Sequence, residues 1–282
     1  IGKELPTYQH ALANSDGEER LVVSHLTRPS TDPFGTSLQD INLTVRAGEI
    51  LGIAGVSGNG QQELLYALSG EKPSAKADDI IINGQPAGRL NAAQRRKIGL
   101  RFVPEERLGR GAVPVMALEL NALLTGHDAG LSLRGFINHH KMRQFAQECI
   151  ERFNVKCGGP TAEAKSLSGG NVQKYIVGRE LMLNPQVLVI SQPTWGVDVG
   201  AASFIRQTLL DLRSSGVAIL VISEELDELF EISDRIAVIA QGRLSPSRAI
   251  QETSMEEIGL WMGGSQNSAT FTPPPTLQPG AV

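Results

Sequence analysis

The chain has 282 residues, and its 26 Lys and Arg against 30 Asp and Glu leave a net charge of −4. There is no basic excess to neutralise a phosphate backbone, which argues against a nucleic-acid partner, while 41% hydrophobic and 20% charged residues exclude a wholly disordered chain. Two cysteines, Cys149 and Cys157, are too few for a disulfide framework and fit a reducing compartment, and no apolar run approaches the roughly 20 residues of a membrane helix.

At roughly 150 residues per domain, the length predicts about two domains or subdomains. The sequence opens on Ile rather than Met, and residues 1–18 are expected to be a linker from a preceding unit. No charged segment followed by an apolar one opens it, so a soluble, cytoplasmic protein is expected. Leu21–Val23 and the alternating Ile41–Val45 predict half-buried strands. Ile50–Ala54, Val187–Ile190, Val217–Ile222 and Ile236–Ala240 are continuous apolar runs, as in parallel strands covered on both faces. Leu64, Leu65 and Leu68 share a helical face that Gly70 can end, and Phe204, Ile205, Thr208 and Leu212 do the same before Gly216. A helical block over about 115–180 carries Met142, Phe145, Cys149 and Phe153 on one stripe. This pattern predicts a domain over 19–263 with an α/β core and an inserted helical subdomain. Residues 264–282, rich in Ser, Pro, Gly and Gln, predict a disordered tail.

Two glycine-rich segments carry the chemistry. Gly55-Val56-Ser57-Gly58-Asn59-Gly60-Gln61-Gln62 lies between a predicted strand and a helix starting near Gln61, the context of a phosphate-cradling loop. In the pattern G-x-x-x-x-G-K-[ST] the two glycines are correctly spaced, but Gln61 and Gln62 stand at the Lys and Ser/Thr positions. A neutral amide cannot supply the Lys charge, so a ligand-free turn remains an alternative. The second segment, Leu167-Ser168-Gly169-Gly170-Asn171-Val172-Gln173-Lys174, matches the LSGGQ-type signature. Ser168 suits an N-cap, and bare glycines expose backbone N–H groups at a helix start, where a terminal phosphate can bind.

With these residues the chain resembles the nucleotide-binding subunits of ABC transporters. The likeness covers about residues 20–262 and is greatest to the C-terminal cassette of the two-cassette proteins that power import of simple sugars and nucleosides. Further markers follow in the family's order: Val103-Pro104-Glu105-Glu106-Arg107, Gln192 through Ala201, Ile222 through Glu228, and Ser233-Asp234-Arg235-Ile236. The resemblance implies a P-loop NTPase (RecA-like) fold with a parallel-sheet core, an antiparallel β subdomain and an inserted α-helical subdomain. It also implies ATP and Mg²⁺ as cofactors.

The departures from the family pattern are concentrated in one place. Active cassettes end the strand equivalent to Val187–Ile190 in Asp-Glu, for Mg²⁺ and for polarising water; here Ser191 and Gln192 stand there. The switch histidine falls at Glu224 and the glutamine-loop residue at Glu105. General-base and metal roles both need residues absent here. This P-loop site is therefore expected not to hydrolyse nucleotide, and no metal-ligating residue is assigned in this chain. The resemblance implies that each composite site joins one cassette's P-loop to the other's signature. Ser168, Gly169 and Gly170, with the retained Asp198, are then expected to complete a partner cassette's catalytic site in trans, and Ser168, Gly170 and Gln173 to touch nucleotide. The implied partners are a second cassette N-terminal in the same full-length chain, transmembrane permease subunits and an extracytoplasmic solute-binding protein. The implied place is peripheral, at the cytoplasmic face of the inner membrane. A different class, a regulatory or scaffolding module without transport, remains open at this point.

Several lesser readings complete the expectations. Glu105 and Glu106 are exposed or dock against a transporter loop, and His139-His140 is a solvated helix start. Trp195 belongs either to a cassette interface or to the core, and Phe34 can stack on adenine. Asp234 and Arg235 are read as a local pair.

Overall fold

The computed structural model describes residues 17–30, 32–133 and 135–263. The linker up to residue 16 and the tail 264–282 lie outside the described residues.

In chain order, the strands β1 (Glu19–Arg28), β2 (Leu38–Arg46) and β3 (Ile50–Ala54) lead into α1 (Gln61–Ser69). Next come β4 (Ile80–Ile82), β5 (Gln85–Pro86), α2 (Ala92–Lys97) and β6 (Leu100–Val103). The middle of the chain forms α3 (Leu118–Gly126), the short strands β7 (Ser132–Leu133) and β8 (Phe136–Ile137), α4 (His139–Arg152) and α5 (Gly169–Leu181). Then follow β9 (Val187–Ser191), α6 (Val199–Ser214), β10 (Ala218–Ser223), α7 (Leu226–Ile232) and β11 (Arg235–Ala240). The last elements are β12 (Arg243–Leu244), β13 (Arg248–Ala249) and α8 (Met255–Met262).

The central sheet has the order β12-β11-β3-β10-β9-β6, with β13 also on β11. The β11–β3, β3–β10, β10–β9 and β9–β6 pairs are parallel. Every residue of β3, β9 and β10 is buried, so these apolar runs need cover on both faces. Their period-2 geometry divides the cover between two cores. Leu188, Ile190, Ile219 and Val221 join one core, with residues of α5, α6 and α7. Val187, Val189, Leu220 and Ile222 join the other, with α1 and the second sheet. That second sheet is antiparallel, in the order β2-β1-β4-β5.

Helix ends fall where the backbone chemistry allows. Gly70 closes α1 at φ 81°, and the Asp198 carboxylate opens α6 by accepting the Ala201 N–H at 2.9 Å. The block 115–180 is not uniformly helical. Gly130 (φ 82°) precedes β7 and Gly135 (φ 84°) lies between β7 and β8, which pair antiparallel ahead of α4. Asp234 and Arg235 do not pair with each other. Asp234 lies in the bend just before β11 and pairs with Arg213 at 3.0 Å, whereas Arg235, the first residue of the strand, pairs with Glu49 at 2.7 Å.

Candidate functional site

The parallel sheet delivers three loops to one rim: 55–60 after β3, 192–198 after β9 and 224–225 after β10. The loop after β3 makes the tight turn its glycines permit, with Gly58 at φ 84° and Gly60 at φ 111°. A Cβ on Gly55 would stand 2.7 Å from the Ile239 carbonyl oxygen, so no other residue fits there unshifted. Side chains then tie the loop to itself. The Gln61 amide donates to the Val56 carbonyl at 2.8 Å and accepts the Asn59 N–H at 3.0 Å. Asn59 donates its own amide to the same carbonyl at 2.8 Å, and the Thr36 hydroxyl donates to Gly58 O at 2.6 Å. Gln61 thus spends both ends of its amide on the loop.

Over this loop lies a cavity of about 100 Å³ that also takes in Ser57, Gln62, Ser191, Gln192 and the exposed Phe34. The charged residues lining it are all acids, Glu63, Glu105 and Glu224. The Glu105 carboxyl is held above its ordinary pKa by burial and then by the negative charge of Glu224, against a smaller pull from Arg110. At the end of β9, Ser191 is buried and Gln192 turns into the left-handed region at φ 48°. The Gln192 amide oxygen accepts the Glu224 N–H at 3.4 Å and lies 3.3 Å from the Ser223 hydroxyl, whose one proton goes to the nearer Glu228. Glu228 sits beneath, accepting the Thr194 hydroxyl at 2.6 Å and the Ser223 hydroxyl at 3.0 Å. Burial raises the Glu228 pKa despite these bonds. A buried hydroxyl and a committed amide do not fit a divalent cation, which takes hard carboxylate oxygens. Among the described residues no group of three or more His, Cys, Asp or Glu side chains could hold a metal ion.

The signature presents a different chemistry. Ser168 and Gly169 are exposed at the start of α5, and Gly170 is buried. A Cβ on Gly170 would meet Asp198 Oδ2 at 3.0 Å and Ala201 Cβ at 3.1 Å, so glycine lets α5 approach the start of α6. Ser168 occupies the N-cap position, yet its side chain makes no bond to the helix backbone. Its Oγ accepts the Asn171 amide at 2.9 Å instead. Gln173, expected to touch nucleotide, lies within the fold rather than at the rim. It is buried and donates to Pro193 O at 3.0 Å, because its position on α5 falls on the inward face. Trp195 is 57% exposed, which removes it from the core. Arg107, to which the sequence alone assigns no role, lies beside Gly169 and donates to Gly196 O at 3.4 Å. A cavity of about 580 Å³ opens there, lined in part by Glu105, Arg107, Gly169 and Trp195. His139 and His140 are exposed at the start of α4, and no helix among the described residues is long and apolar enough to cross a membrane.

Comparison with known proteins bears on this arrangement. Residues 38–195 match the ABC transporter family. The chain is 37% identical over 266 residues to the guanosine import ATP-binding protein NupO of Bacillus subtilis, covering 94% of this chain and 52% of that protein. It is 41% identical over 236 residues to the nucleoside import ATP-binding protein NupA of Lactococcus lactis, covering 82% and 46%. With the ribose import ATP-binding protein RbsA of Geobacillus kaustophilus it shares 36% over 244 residues, covering 86% and 47%. The chain spans about half the length of these curated relatives. The fold is also that of the ATP-binding cassette MJ0796, solved as a dimer in a post-hydrolysis state with ADP and Pi, at TM-score 0.69 and 21% identity over 82% of this chain and 98% of that one. With a family match over more than half of its length and the cassette fold carried by both sheets, the chain belongs to the ABC transporter family.

Proposed function

We propose that this chain is the C-terminal, catalytically degenerate cassette of an importer ATPase, and that it serves the partner cassette's active site rather than its own. The observation that carries this reading is the contrast across the rim. The P-loop cavity is lined by acids and laced shut by Gln61, whereas the signature keeps its hydroxyl and N–H donors at an accessible helix start. Glu63, Glu105 and Glu224 oppose a triphosphate, and Ser191 and Gln192 offer neither a metal ligand nor a general base.

In the composite site, ATP and Mg²⁺ are held mainly by the partner. Ser168 Oγ and the Gly169 and Gly170 N–H groups bind the terminal phosphate as charge develops on it. Asp198, capping α6 against Gly170, holds the signature and the following loop in register. The relatives' names, nucleoside and sugar importers alike, support import of a small solute of one of these classes. The partner cassette lies N-terminal in the same full-length protein, in keeping with a chain that spans half of those relatives. The assembly works at the cytoplasmic face of the membrane with permease subunits and a solute-binding protein.

The test is phosphate release from Mg·ATP by the isolated chain and by the assembled transporter. The isolated chain is expected to release no more than its Gly60→Asp variant, and the assembly to turn over. Release by the isolated chain that vanishes on Gly60→Asp would show that this P-loop hydrolyses ATP and would overturn the reading.

A further inference from the structure

Arg107 is a cation without a carboxylate partner among the described residues, set at the mouth of the signature. It lies in the segment between β6 and α3, and its guanidinium reaches Gly169 and Gly196, both far away in sequence. Its Nη1 donates to Gly196 O at 3.4 Å, at the long limit of a hydrogen bond. The same nitrogen lies 3.0 Å from where a Cβ on Gly169 would stand, and Nη2 lies 3.6 Å from the equivalent point on Gly196. Larger side chains at 169 would therefore displace the guanidinium. Arg110 pairs with Glu71 at 2.8 Å and Asp198 caps α6, while Glu105 and Glu106 line the same cavity but form no ion pair with Arg107 among the described residues. Burial pulls the Arg107 pKa below its ordinary value, with no neighbouring anion opposing it. A half-buried, uncompensated guanidinium beside a cavity of about 580 Å³ is an arrangement that an arriving anion would complete.

We propose that Arg107 is a phosphate ligand of the composite site, completing with Ser168, Gly169 and Gly170 the cradle for the terminal phosphate of a nucleoside triphosphate carried by the partner cassette. This inference rests on the reading given above. Ser168 and the glycine N–H groups offer only partial positive charge, and this half supplies no metal. A guanidinium adds full charge in a planar fork that matches phosphate oxygens two at a time. Lys in its place keeps the charge as a point and loses the fork.

The experiment uses the assembled transporter with Arg107→Ala, Arg107→Gln and Arg107→Lys in this chain, and Gly170→Asp as reference. Turnover at saturating ATP is measured together with affinity for a non-hydrolysable ATP analogue and for ADP. Arg107→Ala and Arg107→Gln are expected to cut turnover at least tenfold and to weaken the analogue while leaving ADP unchanged; Arg107→Lys should recover part of both. Gln keeps most of the side-chain stem, so it preserves the test should Ala disturb the loop. If Gly170→Asp abolishes turnover while the Arg107 variants keep wild-type turnover and an unchanged preference for the analogue over ADP, the inference about Arg107 is wrong and the reading of the signature stands. Equal weakening of analogue and ADP would also overturn it, since the γ-phosphate contact is what Arg107 is held to make. If Gly170→Asp leaves turnover normal, the underlying reading itself fails.

Discussion

The loops at 55–60 and at 168–170 both bring glycines and backbone N–H groups to the start of a helix, α1 in one case and α5 in the other. They differ in what surrounds the glycines. At the first, Gln61 and Asn59 spend amide groups on the loop, and the flanking charges are Glu63, Glu105 and Glu224. At the second, Ser168 offers an exposed hydroxyl, and the adjoining cavity sets the cations Arg107 and Arg110 against Glu105 and Glu106, a balanced lining where the first is wholly acidic. A strand–glycine loop–helix turn supplies the geometry for phosphate, but unspent donors and the sign of the local charge decide whether phosphate comes.

The largest effect that separates the two loops is expected from Gly170→Asp. The new carboxylate would stand against Asp198, whose Oδ2 is 3.0 Å from the Cβ position, and in the path of the phosphate. Loss of a preorganised donor costs about 10²–10³ in rate, and charge repulsion adds to it. Turnover and solute uptake by the assembly should vanish, whereas Gln61→Ala in the same assembly should keep most of both. Should Gln61→Ala be the more damaging change, the two loops have been assigned the wrong way round.

Next in size is a gain. Gln61→Lys with Gln62→Ser rebuilds the phosphate-binding side chains and frees the Asn59 N–H now held by Gln61. Calorimetry on the isolated chain should show ATP affinity rising roughly tenfold, consistent with one added charge contact. Turnover should stay at background because Ser191, Gln192 and Glu224 are unchanged. Hydrolysis restored by this pair alone would place the deficit in the loop and not at the end of β9.

A smaller effect follows from pH. The Glu105 carboxyl titrates above its ordinary range because of burial and Glu224, so acidification neutralises it early. ATP binding by the isolated chain should tighten as pH falls toward 5, by about threefold for one screened charge near the phosphates. Glu105→Gln should bind more tightly at pH 8 and lose this part of the dependence. An unchanged slope would mean that Glu105 does not face the ligand.

Much of this arrangement is legible in the sequence, and the rest is not for identifiable reasons. Continuous apolar runs such as Val187–Ile190 announce doubly covered strands because burial on both faces leaves no polar alternation. The glycine loops are legible through spacing. Arg107 is not, since its contact with Gly196 joins residues 89 apart; the signal available is an Arg within the Val103–Arg107 motif. The burial of Gln173 and its bond to Pro193 are not legible either, because the motif gives its position along α5 but not the side of the helix it occupies. Asp234 and Arg235 look like a pair only while adjacency stands in for geometry. In the fold they reach different partners, Arg213 and Glu49.

The smallest expected effect tests the strut beneath the degenerate rim. Glu228 is buried, and its carboxylate accepts hydroxyls from Thr194 on the β9 side and Ser223 on the β10 side. Arg206 lies 3.8 Å away, although its closest contact is with Glu231 at 2.6 Å, and Glu225 adds a repelling charge. Burial outweighs the favourable bonds, and the folded-state pKa lies above the ordinary 4.5. The folded protein therefore holds this proton more tightly than the unfolded chain. Stability from this group is complete below about pH 4.5 and declines as pH rises through the raised value, by about 1.4 kcal/mol for each tenfold difference in proton affinity between the folded and unfolded chain. Glu228→Gln keeps the volume and one acceptor oxygen, and a hydroxyl that meets the amide NH₂ can turn to accept. The Tm of Glu228→Gln relative to the parent should thus rise between pH 4 and pH 8. Thr194→Val removes a donor that favours the charged form, so its Tm relative to the parent should fall over the same range. Parallel Tm profiles for all three proteins would show that Glu228 titrates as an ordinary surface carboxylate and that the strut carries no charge-dependent strain.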